Sequence, residues 1–452
     1  MSNNNFIIVD GKPINENEIP HFYPLSIVKY QPSYNSIIRF IVEEVYGISK
    51  KSKKYPVYIN LLASKSLKVK YLAILLEISK NHNLEEVHLD YLPRKVAEMM
   101  NISFRESEKK IDLIDKRERF ATLPKYIANL LFSLFGFFIR KQKGEKPESV
   151  VRAWVDVDEK LHKDEFEKSM IYIYPFGINF KRSIKFIRKV FNSCENVSLR
   201  GINYSAYNTL KVIFSKELVH ALVDFEYTGM KSHSKTMLKF KKIYTSDEFQ
   251  VAAPIIYRNK KDTFVLNRAH GMGCYNLEIN YDEFHLFNTV QQEFYSKNNP
   301  FTKYKTYPSE SSIQTTNVSQ KTSFFVVYID QGDLTKYHYF YEANLQKKLV
   351  ETLQDINNQG NKKVFVKYHP NRNEKEKKDF YALYGLESIQ AFNESENYVF
   401  INLYSTSYFD YKKFGSFLFV KDHSFSPKYF FGDDINSIHI DKLKNTLLSY
   451  EN

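Results

Sequence analysis

Short apolar runs alternate along the chain with longer segments in which apolar residues recur at helical spacing. The short runs predict buried strands, and the longer segments predict helices. Before residue 300, predicted strands cover residues 55–62, 86–92, 170–175, 196–199, 221–224, 242–245, 263–267 and 283–287, and predicted helices cover 64–80, 93–100 and 181–192. This alternation is typical of an α/β domain built on a parallel sheet.

The alternation restarts after a polar segment. Residues 300–322 have little periodicity, which indicates an interdomain linker. Beyond it, predicted strands cover 323–329, 363–368, 398–403 and 417–420, and predicted helices cover 344–357, 373–384, 405–414 and 440–450. We therefore expect an α/β chain with two Rossmann-like, doubly wound domains facing across a cleft: residues 1–300, a linker at 301–322, and residues 323–452.

A basic, partly apolar helical insertion near residues 107–146 fits this alternation poorly, so the N-terminal half could form one domain or two. Its most apolar stretch, residues 126–139 (YIANLLFSLFGFFI), is shorter than the roughly 20 residues of a spanning helix. Basic residues flank it on both sides: Arg117, Arg119, Lys125, Arg140, Lys141, Lys143 and Lys146. A buried core helix and a helix lying on an anionic membrane are both consistent with this pattern.

Composition narrows the function classes. The chain has 452 residues and a net charge of +13, which suits a nucleic acid, an anionic membrane or a phosphorylated substrate. Lys and Glu are mixed along most of the chain and no nucleic-acid module is recognisable, so a non-enzymatic nucleic-acid-binding protein is the weaker alternative. Two cysteines, Cys194 and Cys274, exclude a disulfide framework and a structural zinc site. With no apolar core of signal-peptide length near the N-terminus, we expect a cytoplasmic protein, peripheral at the inner membrane.

Polar segments follow three predicted strands of the second domain. They are Asp330-Gln331-Gly332, Lys367-Tyr368-His369-Pro370 and Ser405-Thr406-Ser407. Ligands of open α/β sheets bind at the carboxyl ends of the strands, and hydroxyl groups at a helix start can donate to an anion. Simple helix capping would also explain the serines. Taken together, the segments predict a pocket for a nucleotide phosphate.

These segments resemble motifs of bacterial surface-polysaccharide transferases. Residues 367–371 (KYHPN) and 403–411 (LYSTSYFDY) resemble the HP motif and the serine-rich, FDY-ended motif of CDP-glycerol glycerophosphotransferases, and bacterial sialyltransferases and capsule Kdo transferases carry a similar pair. The resemblance implies a GT-B fold and a cytidine-activated donor whose phosphate is held by Lys367, His369, Ser405, Thr406 and Ser407. From their place after the first strand, we add Gln331 and Gly332 to the donor-binding residues.

A second block resembles the end of the acceptor domain in such enzymes. It comprises residues 243–249 (IYTSDEF), 267–271 (NRAHG) and 282–295 (DEFHLFNTVQQEFY). The resemblance implies that His270 is the general base on the acceptor hydroxyl, with a structural loop histidine as the plain alternative. Sialyltransferases carry an acidic pair before a glycine, and the nearest match here is 224–229 (DFEYTG). Glu226 and Asp224 therefore remain alternative bases.

The favoured function is an inverting glycosyltransferase of capsule or lipopolysaccharide synthesis. Its donor would be a CMP-sugar such as CMP-sialic acid or CMP-Kdo, and its acceptor an oligosaccharide or lipid-linked glycan, with no cofactor. A CDP-glycerol-type glycerophosphotransferase is the alternative, and an epimerase of the same architecture would need carboxylates, for which Asp247 and Glu248 are the only obvious pair.

Asp156 and Asp158 form a DxD triplet, but a helical stretch of mixed charge follows it, and we assign no metal there or at His233.

Overall fold

The computed structural model describes residues 5–23, 25–104, 112–154, 161–175, 180–251, 256–271, 278–306, 324–337, 339–360, 362–370, 372–393, 395–432 and 435–449. Contacts divide the chain into two compact units. Unit 1 spans Met1–Pro13, Ser33–Phe287 and Gln291–Tyr307, and unit 2 spans Ile14–Pro32, Asn288–Val290 and Pro308–Asn452. The described residues form helices and mainly parallel sheets, so the chain is of the mixed α/β class that the sequence predicts.

The first part of the chain carries a small sheet and a helical layer. Its strands are β1 (Phe6–Val9), β2 (Lys12–Asn15), β3 (Leu84–His88) and β4 (Ser103–Phe104), in the order β2-β1-β3-β4. The helices are α1 (Ile19–Phe22), α2 (Ile27–Phe40), α3 (Tyr55–Lys65), α4 (Leu67–Asn81) and α5 (Arg94–Met100). β1 pairs antiparallel with β3, whereas β3 pairs parallel with β4.

An eight-stranded sheet forms the centre of unit 1. Its strands are β5 (Arg140–Lys141), β6 (Ser149–Ala153), β7 (Met170–Ile173), β8 (Val197–Leu199), β9 (Lys242–Thr245), β10 (Phe264–Arg268), β11 (Glu283–Leu286) and β12 (Lys303–Thr306), in the order β12-β11-β10-β9-β6-β7-β8-β5. All neighbours pair parallel except β5, which is antiparallel to β8. Counted from β6, this is the strand order of a doubly wound fold, with its switch point between β6 and β9.

Helices connect these strands and pack against them. They are α6 (Arg117–Phe138), α7 (Lys163–Phe166), α8 (Phe180–Ser193), α9 (Ala206–Phe214), α10 (Leu218–Met237) and α11 (Thr289–Ser296). Phe186, Val190 and Cys194 of the α8 region pack on Ile171 and Val197 to form part of the core. None of the helices in the described ranges is long and apolar enough to cross a membrane.

Two segments that the pattern predicts to be strands are helical. Residues 55–62 form most of α3, and residues 221–224 lie inside α10. Residues 55–62 are all buried, and the same holds for most of the first two turns of α10. A helix buried on every side loses the polar face that marks its period, so a short apolar run cannot be distinguished from a buried strand. β12 also covers the start of the predicted linker, because its residues pair with β11; residues 307–322 lie outside the described ranges.

Unit 2 contains a second parallel sheet. Its strands are β13 (Phe325–Ile329), β14 (Val364–Lys367), β15 (Glu387–Ser388), β16 (Tyr398–Asn402), β17 (Gly415–Lys421) and β18 (Ser437–His439), in the order β15-β14-β13-β16-β17-β18. All five neighbouring pairs are parallel. The order is again that of a doubly wound fold, with the switch point between β13 and β16.

The helices of unit 2 follow the predicted pattern closely. Those after residue 324 are α12 (Phe340–Asn358), α13 (Glu374–Tyr384), α14 (Ser407–Tyr411), α15 (Lys428–Phe431) and α16 (Ile440–Ser449), and α1 also belongs to this unit. Local sequence fixes both ends of α13, since Asn373 and Glu376 form a capping box and Gly385 ends the helix in the left-handed conformation. The predicted helix 405–414 is divided into α14 and a 3-10 turn, Lys412–Phe414, before Gly415 begins β17.

Candidate functional site

The three polar segments of unit 2 leave neighbouring strands at one edge of the sheet. β14, β13 and β16 are adjacent, with Ile329 paired to Lys367 and Tyr328 paired to Ile401. Because the strands are parallel, the residues after each of them emerge at the same carboxyl edge. The sheet therefore brings the segments 330–332, 367–369 and 405–407 to the region around the switch point.

Asp330 connects the first two segments. Its carboxylate is buried and forms an ion pair with Arg372, with Nη2 at 3.0 Å from Oδ1. The backbone N–H groups of Gly332 and His369 donate to it at 3.1 and 3.2 Å, and Gln346 Nε2 donates at 3.2 Å. A buried carboxylate with an ion-pair partner and several donors holds its neighbours in a fixed geometry. Asp330 thus positions the backbone of both loops.

Gly332 lies directly against the ring of His369. Its φ of +77° is left-handed, and a Cβ added to it would lie 3.3 Å from His369 Nδ1. A glycine is therefore required both by the backbone conformation and by the close approach of the ring. Burial lowers the pKa of His369 from its usual value, Asp330 opposes that shift, and Arg372 adds to it. Burial therefore favours the neutral form of the ring, and a bound anion would favour the protonated form.

Lys367 and Gln331 differ in how far their side chains are exposed to solvent at the carboxyl edge of the sheet. Lys367 is partly exposed, and its Nζ donates to the carbonyl of Gln390 at 3.1 Å. Burial lowers its pKa, so a new anionic partner would favour its charged form. Gln331 is buried, and its Nε2 donates to the carbonyl of Ile329 at 3.1 Å. Of the two, Lys367 is the side chain that remains partly open to solvent.

The serine segment is partly exposed and begins a very short helix. Ser405 Oγ accepts from the backbone N–H of Ser407 at 3.2 Å, a local turn contact, whereas the N-cap residue of the helix, Thr406, makes no side-chain capping bond within the described chain. α14 has only five residues, so its dipole is weak support for anion binding. What the segment offers a ligand is therefore its hydroxyl groups, those of Thr406 and Ser407 beside Ser405.

Two features beside this edge were not predicted. A groove of about 360 Å³ opens between α12 and α13, and Gly332 and Arg372 line one end of it. Asn402 ends β16 with a fully buried side chain, and within the described chain neither its Oδ1 nor its Nδ2 has a hydrogen-bond partner. Such an unpaired buried amide requires a specific explanation, and this one lies at the switch point.

In unit 1, His270 follows β10 and is held by a neighbouring carboxyl group. Its backbone N–H donates to Glu248 Oε1 at 2.6 Å, and its ring centroid lies 5.0 Å from that of Phe249. Glu248 is buried, and Asn267 Nδ2 donates to its Oε2 at 3.2 Å. Burial raises the pKa of Glu248 to about 8, so the carboxyl group is mostly protonated at neutral pH. Glu248 therefore fixes the loop that presents the partly exposed His270.

The alternative bases Glu226 and Asp224 do not follow a strand, because both lie within α10. Glu226 is buried in an ion pair with Lys125. Asp224 accepts from Lys54 Nζ at 2.5 Å and from Lys211 Nζ at 2.6 Å. Burial alone would raise the pKa of Asp224, but the two lysines outweigh it and hold that pKa below its usual value. Lysine-bound carboxylates are poor proton acceptors, and no hydrogen bond or ion pair in the described chain joins Glu226 to His270.

The switch point of unit 1 is filled by a buried network. Arg152 of β6 and Asp247 after β9 form an ion pair with both side chains fully buried. Tyr257 and Tyr281 donate their hydroxyl groups to Asp247 at 2.9 and 2.6 Å, and the guanidinium of Arg152 lies 4.6 Å from the ring of Trp154. Asp247 is therefore committed to Arg152. An epimerase would need two carboxylates that a substrate can reach. Asp247 and Glu248 do not meet this requirement in the described structure, because both are buried and hydrogen-bonded.

The remaining predicted features do not form a metal site in the described ranges. There, no group of three or more His, Cys, Asp or Glu side chains could hold a metal ion. His233 is buried on α10, where its Nδ1 lies 3.4 Å from the hydroxyl of Tyr174. Asp156, Asp158 and Cys274 lie outside the described ranges.

Sequence reasoning missed three residues of these two edges, although each left a signal. Arg152 is a charged residue inside the apolar strand SVVRA, which indicates a buried partner. Asn402 similarly ends the apolar strand YVFIN. Arg372 lies three positions after His369, between a strand and a helix, where ligand-binding and loop-fixing groups are common.

Comparisons with known proteins do not assign a family. No protein-family model matches the chain. No curated protein matches it significantly.

Proposed function

We propose that the chain is a glycosyltransferase of the GT-B type that transfers a sugar from a cytidine-activated donor to a glycan hydroxyl with inversion. In this proposal unit 2 binds the nucleotide sugar and unit 1 binds the acceptor. The observation that supports it best is the carboxyl edge of the unit 2 sheet. There the His369 loop and the Ser405–407 segment, which resemble the donor-phosphate motifs of such transferases, follow strands that flank β13 at a doubly wound switch point.

The leaving group in this reaction is a nucleoside phosphate, whose developing charge must be stabilised. His369 takes up a proton beside the phosphate, and Lys367 adds a positive charge. The hydroxyl groups of Ser405, Thr406 and Ser407 donate to the phosphate oxygens. Asp330 holds the loops of Gly332 and His369 before the donor arrives, so little order has to be gained on binding.

On the acceptor side, His270 accepts the proton of the attacking hydroxyl group. A general base in this role needs a pKa near neutral pH and a path to the proton of the hydroxyl group. Glu248 acts as a positioning residue through the backbone of His270. The products are the glycan with a new glycosidic bond, the nucleoside phosphate and one proton carried by His270.

The acceptor class also bears on location. Surface glycans such as capsule and lipopolysaccharide are assembled on lipid carriers, so a peripheral position at the inner membrane is part of this proposal. A CDP-glycerol donor would use the same phosphate-binding groups, and the test below therefore includes it.

A thermal-shift panel tests the donor site. CMP, CDP, CDP-glycerol, UDP and GDP are added with and without Mg²⁺ to the wild type, to His369→Ala, and to His423→Ala, an exposed histidine of the same unit. At a hundred times its Kd, a ligand of the folded state adds about 2.7 kcal/mol of stability. We expect CMP or CDP to raise the melting temperature of the wild type and of His423→Ala, and to lose most of that effect in His369→Ala.

Other outcomes would contradict specific parts of the proposal. A preference for UDP or GDP would remove the cytidine donor. Stabilisation by CDP-glycerol alone would favour glycerophosphate transfer. Turnover of a CMP-sugar without any acceptor would indicate an epimerase. Binding to bulk nucleic acid that weakens steeply with salt, without any nucleotide effect, would favour the nucleic-acid-binding alternative.

A further inference from the structure

The helix α6 has its polar and small residues turned toward the protein. Thr122 and Asn129 are buried, and Asn129 Oδ1 accepts from the backbone N–H of Ile202 at 2.7 Å. Lys125 forms its ion pair with Glu226, and a Cβ added to Gly136 would lie 2.0 Å from the carbonyl oxygen of Leu199. These four positions share one face at helical spacing. α6 is therefore attached to unit 1 by its polar stripe.

The opposite face of α6 is apolar and exposed. It consists of Phe120, Leu123, Ile127, Leu130, Leu131, Leu134, Phe135 and Phe138, with exposed fractions that reach 75% for Phe120 and 80% for Phe138. A surface helix of a globular protein normally buries its apolar stripe. α6 has the reverse arrangement, which removes the buried-core-helix interpretation of residues 126–139.

A second helix extends this face. α9 packs against α6, and Arg119 Nη1 donates to the carbonyl of Ile213 at 3.3 Å. α9 exposes Tyr207, Leu210 and Phe214, the last with 77% of its surface open. We call the eight exposed α6 residues together with these three the α6–α9 face. Contiguous exposed apolar surface of this kind marks an interaction site.

The charges around the α6–α9 face are mainly positive. Residues 116–146 contain eight basic and two acidic residues, and no acidic residue occurs from 119 to 144. Lys116 and Arg117 at one end of α6, and Arg140 and Lys141 at the other, are exposed. A second copy of the chain would bring the same positive charge, whereas an anionic lipid surface complements it.

We propose that the α6–α9 face docks the protein onto an anionic lipid membrane. The apolar side chains of both helices enter the interfacial region, with α6 lying along the membrane surface, and the flanking lysines and arginines contact the lipid headgroups. This docking needs no spanning segment, and none of the helices in the described ranges, α6 included, is both long and apolar enough to cross. This docking does not depend on the donor site of unit 2, and it holds even if the protein transfers no sugar.

Vesicle sedimentation of the full-length protein tests the proposal. The vesicles are phosphatidylglycerol and phosphatidylcholine in equal parts, or phosphatidylcholine alone. The variants are Phe138→Ser with Phe214→Ser, which removes one apolar contact from each helix, and Arg140→Glu with Lys141→Glu. The control is Phe301→Ser, a residue of unit 1 that lies outside the face and is 98% exposed.

We expect the wild type to bind the anionic vesicles, more weakly with added salt, and to bind the neutral ones much less. The Phe138/Phe214 variant should partition about tenfold less or lower still, since two buried aromatic contacts are lost. The Arg140/Lys141 variant should lose the preference for anionic lipid, and Phe301→Ser should bind as the wild type. Equal melting temperatures for all variants show that they are folded, as expected for exposed positions.

Two kinds of result would overturn the proposal. One is a wild type that does not bind anionic vesicles, or a Phe138/Phe214 variant that binds them as well as the wild type does. The other is self-association: a wild-type dimer in sedimentation velocity that becomes a monomer in the Phe138/Phe214 variant, with no vesicle binding, would assign the face to a second copy. None of these results bears on nucleotide binding, so the failure of this proposal is distinct from the failure of the proposed sugar transfer and removes only the peripheral position from the proposed function.

Discussion

The large sheets of unit 1 and unit 2 share a doubly wound strand order, yet their switch points contain different chemistry. At the β6–β9 switch point of unit 1, the ion pair of Arg152 and Asp247 is fully buried, with tyrosine hydroxyl groups completing the coordination of Asp247. At the β13–β16 switch point of unit 2, the carboxylate of Asp330 is buried as well, in an ion pair with the partly exposed Arg372. There, however, it holds the backbone of a loop whose His369 ring stays partly exposed.

This difference shows that topology locates an edge without deciding its use. Charges that are removed from water must be fully paired. In unit 1, both carboxylate oxygens of Asp247 are occupied by Arg152 and the two tyrosine hydroxyl groups. In unit 2 the paired carboxylate instead orders groups that can still meet a ligand. Function has to be argued from these side chains, because the strand order is the same in both sheets.

The largest expected effect comes from breaking the buried pair of unit 1. Arg152→Met leaves Asp247 buried without a cation, and we expect it to lower the free energy of unfolding by about 3–5 kcal/mol. The control is Lys241→Met, which removes the partner of Glu148 from an ion pair on the surface and should cost less than about 1 kcal/mol. Chemical denaturation followed by circular dichroism measures both.

A loss for Arg152→Met no larger than that of Lys241→Met would contradict the comparison. It would mean that the unit 1 switch point is solvated in solution and could itself accept a ligand. A large loss, in contrast, would support the interpretation of this edge as a structural element on which the His270 loop is built.

The second expected effect is on how stability depends on pH. Burial raises the pKa of Glu248 to about 8 from a usual value of 4.5, so the folded state binds a proton that the unfolded state releases. Between these two values the unfolding free energy falls as pH rises, by up to about 1.4 kcal/mol per pH unit. Glu248→Gln, which resembles the protonated form, should lose this component and become relatively more stable as the pH approaches 8.

Urea unfolding of the wild type and of Glu248→Gln at several pH values between 5 and 8 measures the difference. Glu278→Gln serves as a comparison, since burial raises the pKa of that carboxyl group too, while Arg39 opposes the shift. Parallel stability curves for the wild type and Glu248→Gln would show that Glu248 is ionised in the folded state. The carboxylate would then hold His270 in a different way from the one inferred here.

Much of the fold could be predicted from sequence, and the failures have a common physical cause. Unit 2 follows the predicted alternation because its strands are short apolar runs and its helices carry explicit signals, such as the Asn373 capping box and the Gly385 end of α13. α3 and the first part of α10 were predicted wrongly as strands because both are buried on every side there. The short strand β6 was not recognised, since the arginine at its fourth position interrupts the apolar run.

The candidate site could be predicted only in part. Placing polar residues after strands was sufficient to bring the Gly332, His369 and Ser405 segments to one edge, because parallel strands impose that geometry. Pairwise contacts were not predictable, since they depend on how loops fold back. Asp330 with Arg372 and Glu248 with the backbone of His270 are examples. The sequence match at 224–226 does not reveal that both carboxylates lie on a helix, where each forms ion pairs with lysine side chains.

The smallest expected effect tests whether the unit 2 edge depends on the close approach of Gly332 to His369. Gly332→Ala and Gly360→Ala both place an alanine in the left-handed region, at φ of +77° and +74°, and each should cost about 1 kcal/mol of stability. Only at Gly332 does the new Cβ meet another group, the His369 ring at 3.3 Å; nothing lies within 4 Å at Gly360. The two variants thus carry the same backbone strain, but only Gly332→Ala displaces the His369 ring.

CMP binding by calorimetry separates the two effects. If His369 contacts the donor phosphate, a shift of its ring by a few tenths of an ångström should weaken binding about threefold in Gly332→Ala, which is less than 1 kcal/mol. Gly360→Ala should bind as the wild type does, despite its equal loss of stability. Equal affinities in all three proteins would show that the ring position does not matter for the ligand. The unit 2 edge would then be, like the Arg152–Asp247 network of unit 1, a set of groups that holds loops together without contacting the donor.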